Sequence, residues 1–132
     1  MDKMDLLMDE MISLKKWAVV GATQNPAKFG HKIYMKLVGK GYDVTPINPV
    51  YDTVEGIACL DSLKEMKVLP DCVSVVVGPK RAFGVVQEAI DLGIKKLWFQ
   101  PGTFDEDVLD LAESNGLEIV FYNCILVELD KR

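Results

Sequence analysis

Short runs of apolar residues recur along the chain, and helix-like patterns separate them. The runs are rich in β-branched residues and are continuously apolar rather than alternating. That pattern is typical of parallel strands whose two faces are both covered by helices. The runs predict five buried strands, at 17–21, 43–47, 72–77, 96–99 and 117–121.

Apolar residues three or four positions apart predict helices between these strands. Phe29, Ile33 and Leu37 repeat in this way, and similar repeats follow the third and fourth strands. Residues 1–14 show a further amphipathic pattern, which predicts an N-terminal helix outside a core of residues 15–128. Several helices end at a glycine followed by an apolar residue, the signal of a left-handed helix C-terminus. These glycines are Gly41, Gly93 and Gly116.

The alternation of strands and helices predicts an α/β protein with a Rossmann-like, three-layer αβα architecture. We expect a five-stranded parallel sheet with right-handed crossovers and the strand order 3-2-1-4-5. The 132 residues contain no repeat or linker, so a single domain (1–132) is expected. Ligands of such sheets bind beyond the strand carboxyl ends where the order reverses, here between strands 1 and 4.

The net charge of −5 argues against nucleic acid as a partner, although backbone N–H groups can still hold one small anion. No apolar run approaches the ~20 residues of a membrane span, and the acids within 1–14 are unlike a signal peptide. We therefore expect a cytoplasmic protein that does not contact membranes. The three cysteines, Cys59, Cys72 and Cys124, contain no CxxC pair, so we expect neither a disulfide framework nor a bound metal.

Polar loops follow four of the predicted strands: GATQNPAKFG, NPVYD, GPKR and QPGTF. They consist mainly of Gly, Pro, Asn, Gln and Thr. None supplies a Cys–His pair, a Ser–His pair or a carboxylate cluster near the point of reversal, so we predict no catalytic site. A site that binds a small nucleotide-like molecule is the expectation instead.

The first loop leads into a helix that we expect to begin around residues 28–30, with free N–H groups that attract phosphate. The positive charge of Lys28 at a helix N-terminus interacts unfavourably with the helix dipole, and a bound anion would offset this. The alternative is that Lys28 is a solvated lysine without a ligand. Gly30 allows either close approach of a ligand or close packing of the helix. The loop lacks G-x-G-x-x-G, and the second strand ends in Pro46-Ile47-Asn48-Pro49 instead of an acid. An NAD(P)-dependent oxidoreductase is therefore the less favoured alternative.

Three motifs in order, GATQNPAKFG, GYDVTPINPVYDTVEG and KKLWFQPGT, resemble the small CoA-binding protein family. Its Rossmann-like domain also begins the succinyl-CoA synthetase α subunit and the NDP-forming acyl-CoA synthetases. The resemblance covers about residues 15–128 and implies that CoA or acyl-CoA lies across the strand carboxyl ends. It also implies binding without catalysis, because nothing here matches the phosphohistidine and ATP-grasp domains of the synthetases.

The resemblance assigns the ligand contacts by position along the four loops. From their position just after the third strand, Lys80 and Arg81 either reach the rim and add positive charge or are ordinary solvated residues. The implied contacts are Gly21, Ala22, Thr23, Gln24, Asn25, Lys28, Phe29, Gly30, Asn48, Pro49, Val77, Gly78, Pro79, Phe99, Gln100 and Pro101.

Several assignments stay open at this point. The chain could serve as a regulatory or carrier module, or it could be an interaction subunit of an acyl-CoA synthetase-type complex. Its candidate protein partners are a second copy of the chain and a protein that handles acyl-CoA. Residues 6–14 and 125–129 serve either docking or ordinary packing. His31 is either a packing residue on the first helix or a contact on the phosphate side. A mixed disulfide between Cys124 and CoA is a further hypothesis.

Overall fold

A computed structural model describes residues 2–132. A parallel sheet with the order β2-β1-β5-β6-β7 forms its centre, and a separate antiparallel hairpin pairs β3 with β4. The strands are β1 (Lys16–Val20), β2 (Asp43–Ile47), β3 (Thr53–Val54), β4 (Ile57–Ala58), β5 (Cys72–Val75), β6 (Lys96–Phe99) and β7 (Glu118–Phe121). The helices are α1 (Lys3–Ser13), α2 (Phe29–Gly39), α3 (Pro79–Leu92), α4 (Glu106–Ser114) and α5 (Ile125–Asp130), with a 3-10 turn at Leu63–Glu65.

The predicted α/β class, the Rossmann-like layers and the five-stranded parallel sheet are confirmed, but the predicted strand order is wrong. β5, the third strand of the sheet along the chain, pairs with β1 and not with β2. The observed order is therefore 2-1-3-4-5 in place of 3-2-1-4-5, and the reversal lies between β1 and β5.

The connection from β2 to β5 explains this order. It contains the β3–β4 hairpin and the 3-10 turn but no long helix, and the face that α2 covers also carries α1 and α5. A right-handed crossover from β2 past β1 places the connection on the opposite face. There Leu63 of the 3-10 turn packs into the same core as α3 and α4.

Each central strand is buried on both faces, which accounts for the continuous apolar runs of the sequence. In β1, Ala18 and Val20 face α3 and α4, whereas Trp17 and Val19 face the helices α1, α2 and α5. The ring of Trp17 lies 6.5 Å from that of Trp98 on β6. These two cores hold the sheet rigidly beneath its carboxyl edge.

The two ends of the described chain meet on one face of the sheet. The predicted N-terminal helix corresponds to α1, and Asp2 caps it by accepting a hydrogen bond from the Asp5 N–H. The tail after β7 forms α5, whose Ile125 and Leu129 are buried. Arg132 joins Asp9 of α1 to Glu128 of α5. Ile125 and Leu129 therefore serve packing, one of the two roles that the sequence leaves open for the tail.

Helix ends follow the sequence signals closely. The glycines after α2, α3 and α4 all adopt positive φ, as the sequence predicts. Pro79 occupies the first turn of α3. Within residues 2–132, none of these helices is both long enough and apolar enough to cross a bilayer.

Candidate functional site

A cleft opens at the carboxyl ends of β1, β2 and β5, where the sheet order reverses. Its volume of about 600 Å³ is in the range of small-molecule sites. Four segments form its walls: the loop after β1, the start of α2, the loop after β2 and the start of α3. The lining residues are Gly21, Thr23, Ala27, Lys28, Phe29, Gly30, Asn48, Val50, Tyr51, Val76, Val77, Gly78 and Arg81.

The structure brings part of the predicted site together in this cleft. Pro49 lines a smaller cleft beside it. Of the others, Ala22, Phe99 and Gln100 are buried, and Pro79 starts α3. The predicted contacts that line the main cleft are Gly21, Thr23, Lys28, Phe29, Gly30, Asn48, Val77 and Gly78. Those that line neither cleft are Ala22, Gln24, Asn25, Pro79, Phe99, Gln100 and Pro101.

Two glycines let backbone segments touch at the base of the cleft. A Cβ atom on Gly30 would lie 2.0 Å from the carbonyl oxygen of Gly21. A Cβ atom on Gly21, whose φ is +100°, would lie 2.3 Å from the carbonyl oxygen of Val76. Both positions therefore need glycine for contacts within the protein itself. For Gly30 the structure favours packing of the helix start.

Polar side chains of the first two loops bind other parts of the protein. The amide of Asn48 donates from Nδ2 to the carbonyl oxygen of Ala22 over 2.8 Å. The hydroxyls of Thr23 and Tyr51 lie 2.9 Å apart, and Gln24 donates from Nε2 to the Thr53 carbonyl over 2.7 Å. These contacts fix the loops against each other and shape the cleft wall.

Gln100 is occupied in the same way, at the end of β6. Its Nε2 lies 3.1 Å from Sγ of Cys124, and its Oε1 accepts the Ile125 N–H over 3.3 Å. The side chain is almost fully buried. Its amide therefore anchors the loop after β7.

The two helices that begin at the main cleft lack capping side chains. Neither α2 nor α3 has an acid in its first turn, and the residue before α2 is Lys28. By contrast, Asp2 caps α1 and Asp105 caps α4. The N–H groups of Phe29 and Gly30 have no acceptor among the described residues. They leave a positively polarised helix end open to an anion.

The charge of the main cleft is positive, opposite in sign to the net charge of the whole chain. The net charge is −5, yet the charged residues of the lining are Lys28 and Arg81, with no carboxylate. Neither cation forms an ion pair within residues 2–132. The local field therefore favours an anionic ligand.

The smaller cleft has a volume of about 230 Å³ and shares Val77 and Arg81 with the main one. Its floor is apolar and includes Ile47 and Leu63. The backbone N–H of Leu63 donates to Glu88 over 3.1 Å, which holds the 3-10 turn against α3. The smaller cleft thus combines an apolar floor with the carboxylates of Asp61 and Glu88, and Arg81 lines both clefts.

Sequence reasoning missed the wall that the β3–β4 hairpin supports. Tyr51 lines the main cleft just before this hairpin. At the hairpin turn, Glu55 has φ +50° and pairs with His31, with Nε2 and Oε1 2.7 Å apart. Glu55-Gly56 is only a weak turn signal, because glycine suits the turn but Glu-Gly is not one of the dipeptides that mark such hairpins. His31 does not line either cleft.

The cysteines form no disulfide in the structure. Cys59 and Cys72 are buried, and burial raises the pKa of the Cys72 thiol to about 12. Cys124 is half-buried against Gln100. Among the described residues, no three His, Cys, Asp or Glu side chains are grouped to hold a metal ion.

Comparison with known proteins gives consistent matches. The model of the CoA binding domain family matches residues 15–130. The uncharacterised protein YneT of Bacillus subtilis is 28% identical over 113 residues, which are 86% of this chain and 84% of YneT. The alpha subunit of the ADP-forming acetate–CoA ligase II of Pyrococcus furiosus is 25% identical over 130 residues, covering 90% of this chain but 28% of that subunit.

A solved structure shows the same likeness in three dimensions. A conserved hypothetical protein from Pyrococcus furiosus superposes with a TM-score of 0.83 at 45% sequence identity. The superposition covers 86% of this chain and 98% of the other.

Proposed function

Because the chain belongs to the family of CoA-binding domains, we propose that it binds CoA or acyl-CoA in the two joined clefts without catalysing a reaction. One observation carries this proposal: two uncapped helix starts and two cations converge on the main cleft, whose lining has no carboxylate. CoA brings a pyrophosphate and a 3′-phosphate, which are the groups that such a surface attracts.

The two clefts suggest which part of CoA each of them binds. The N–H groups of Phe29 and Gly30, with Lys28 beside them, receive a phosphate at the start of α2. Arg81 lies on both clefts and binds a second phosphate from the side of α3. The smaller cleft, with its apolar floor, receives the adenine ring.

The side chains of the main cleft are the reason that we propose binding without a catalysed reaction. Its lining has no cysteine, histidine or carboxylate, so a nucleophile and a general base cannot be assembled there. The chain corresponds to 28% of the related ligase subunit. A regulatory or carrier module for CoA is the role that fits these features.

A second candidate function is that of an interaction subunit. It is favoured by the similarity to one subunit of an acetate–CoA ligase. Affinity purification from the native cells, followed by light scattering, tests it. Recovery of a stable partner that handles acyl-CoA supports this function, and a monomer without a partner contradicts it.

Calorimetric titration with CoA, acetyl-CoA, NAD and NADP tests the main proposal. We expect the CoA species to bind and the two dinucleotides to bind more weakly or not at all. Lys28→Ala and Arg81→Ala each remove a charge-assisted contact, worth about 1.5–3 kcal/mol, and should weaken CoA binding roughly ten- to hundredfold. Lys67→Ala, which removes an exposed lysine away from both clefts, is the matched control.

Two results would contradict the proposal. The first is no heat with either CoA species when the protein is folded and free of ligand. The second is equal weakening by Lys67→Ala, since that would indicate a general charge effect in place of a local contact.

A further inference from the structure

Three aromatic side chains form a surface patch at the far end of the carboxyl edge of the sheet. Phe121 ends β7, Tyr122 follows it, and Phe104 comes from the loop after β6. The ring centroid of Tyr122 lies 4.6 Å from that of Phe121 and 5.8 Å from that of Phe104. Tyr122 remains 73% exposed, so one large ring is held on the surface with its outer side in water.

The backbone holds Tyr122 there at an energetic cost. Its φ is +103°, a conformation that side chains other than glycine rarely adopt. Within residues 2–132 the other non-glycine residue with positive φ is Glu55, whose side chain is paired at a hairpin turn. Strain of this kind is concentrated at binding sites.

The patch lies along the same edge as the proposed CoA site. β5 borders the main cleft, and β7 is two strands further on, a separation of about 10 Å. The pantetheine arm of CoA is an amide-linked chain of about twelve atoms, the equivalent of about four residue lengths, and it spans about 14 Å when extended. An arm that leaves the cleft past β6 can therefore bring its thioester end to the patch.

We propose that Phe104, Phe121 and Tyr122 form an apolar subsite for the acyl group of acyl-CoA. This inference rests on the proposed CoA-binding function and adds a substrate class to it. The patch presents ring faces and edges and contains no cationic side chain. It selects short uncharged acyl groups, such as butyryl, over acyl groups that carry a carboxylate, such as succinyl.

Titration with CoA, butyryl-CoA and succinyl-CoA tests this subsite on the full chain. Burial of the three added apolar carbons at a half-open surface should make butyryl-CoA bind about three- to tenfold more tightly than CoA. Succinyl-CoA should show no such gain. Tyr122→Ala and Tyr122→Gly should abolish the gain and leave the affinity for CoA itself unchanged.

Val68→Ala serves as the matched control, because it removes an exposed apolar side chain. Val68 precedes the amino end of β5, whereas the patch lies at the carboxyl ends of the strands. Val68→Ala should preserve the butyryl gain. If CoA binds but butyryl-CoA binds no tighter, or if the gain survives both Tyr122 variants, the subsite is wrong and the CoA site stands. If CoA itself does not bind, both proposals fail, and the CoA titration alone identifies that result.

Discussion

A methyl group at Gly30 would have to occupy the space taken by the carbonyl oxygen of Gly21. The first loop and the start of α2 are therefore in direct backbone contact, and the shape of the cleft end where we propose that a phosphate binds depends on the absence of one side-chain atom. The contact forms although the loop lacks the G-x-G-x-x-G motif, since Gly21 and Gly30 stand at the two ends of the first loop and meet where α2 begins.

We expect Gly30→Ala to destabilise the protein by about 1–3 kcal/mol, because the added Cβ forces the loop and helix apart. The same variant should weaken CoA binding, since the N–H groups of the helix start move with the loop. Gly39→Ala is the control within the same helix, where nothing lies within 4 Å of the added atom. It should be neutral or stabilising by up to about 1 kcal/mol.

Urea denaturation and calorimetry together measure both effects. An unchanged stability and affinity in Gly30→Ala would show that the contact between loop and helix relaxes at no cost. A loss of stability in Gly39→Ala as large as that in Gly30→Ala would point to helix propensity in place of close packing.

Single residues also show where sequence reasoning about the site stops. The polar character of the loops is sufficient to predict that Asn48 and Gln100 lie at the carboxyl edge. It does not reveal that their amides already bond Ala22, Cys124 and Ile125. An amide is equally suited to a ligand and to a backbone group, and only the folded neighbours decide between them. The contribution of each predicted residue to ligand binding stays a prediction.

Among the secondary-structure elements, the long periodic ones are predictable and the short ones are not. The buried strands and the three internal helices follow from local periodicity and glycine stops. The hairpin strands β3 and β4 have two residues each, too few for a periodic signal. Strand order depends on which face of the sheet still has room, a property of several elements together. The sequence therefore predicts the layers but not the position of β5.

The β3–β4 hairpin is attached to the first loop and α2 by side-chain contacts, one of which joins His31 and Glu55. Removal of the ring in His31→Ala should loosen the hairpin and raise amide hydrogen exchange at residues 53–58 by about fivefold, the equivalent of about 1 kcal/mol. Lys32→Ala changes the next, exposed residue of α2 and should leave that exchange unchanged.

Hydrogen exchange followed by mass spectrometry resolves the hairpin from the rest of the chain. Equal protection of residues 53–58 in His31→Ala and in the unaltered protein would mean that the contact between His31 and Glu55 does not hold the hairpin. Faster exchange across the entire sheet would mean that the effect is global.

For the molecule as a whole, we expect the core beneath α1, α2 and α5 to lose stability at alkaline pH. Cys72 on the central strand β5 and Tyr34 on α2 lie in this core, and Tyr42 packs against it. Burial raises the pKa of all three groups above its ordinary value, to about 12 for Cys72. Folding therefore holds protons that the unfolded chain releases, and the free energy of unfolding must fall as pH rises.

The largest part of this fall belongs to Cys72. Its contribution is fully present below pH 9.0, the ordinary thiol value, and is lost as pH approaches about 12. A shift of this size corresponds to about 4 kcal/mol. Cys72→Ser removes the thiol and should give a shallower decline of unfolding free energy between pH 9 and 11, measured by urea denaturation under reducing conditions. Identical slopes for the two proteins would contradict the prediction.

The contacts that fix the first loop also determine whether its conformational entropy is lost on folding or on ligand binding. Gly21 and Gly30 lock the backbone, Asn48 holds Ala22, and Thr23 holds Tyr51, all before any ligand is present. The conformational entropy of this loop is thus lost during folding and not during association. A pre-organised cleft of this kind lets a ligand keep most of its interaction energy as affinity.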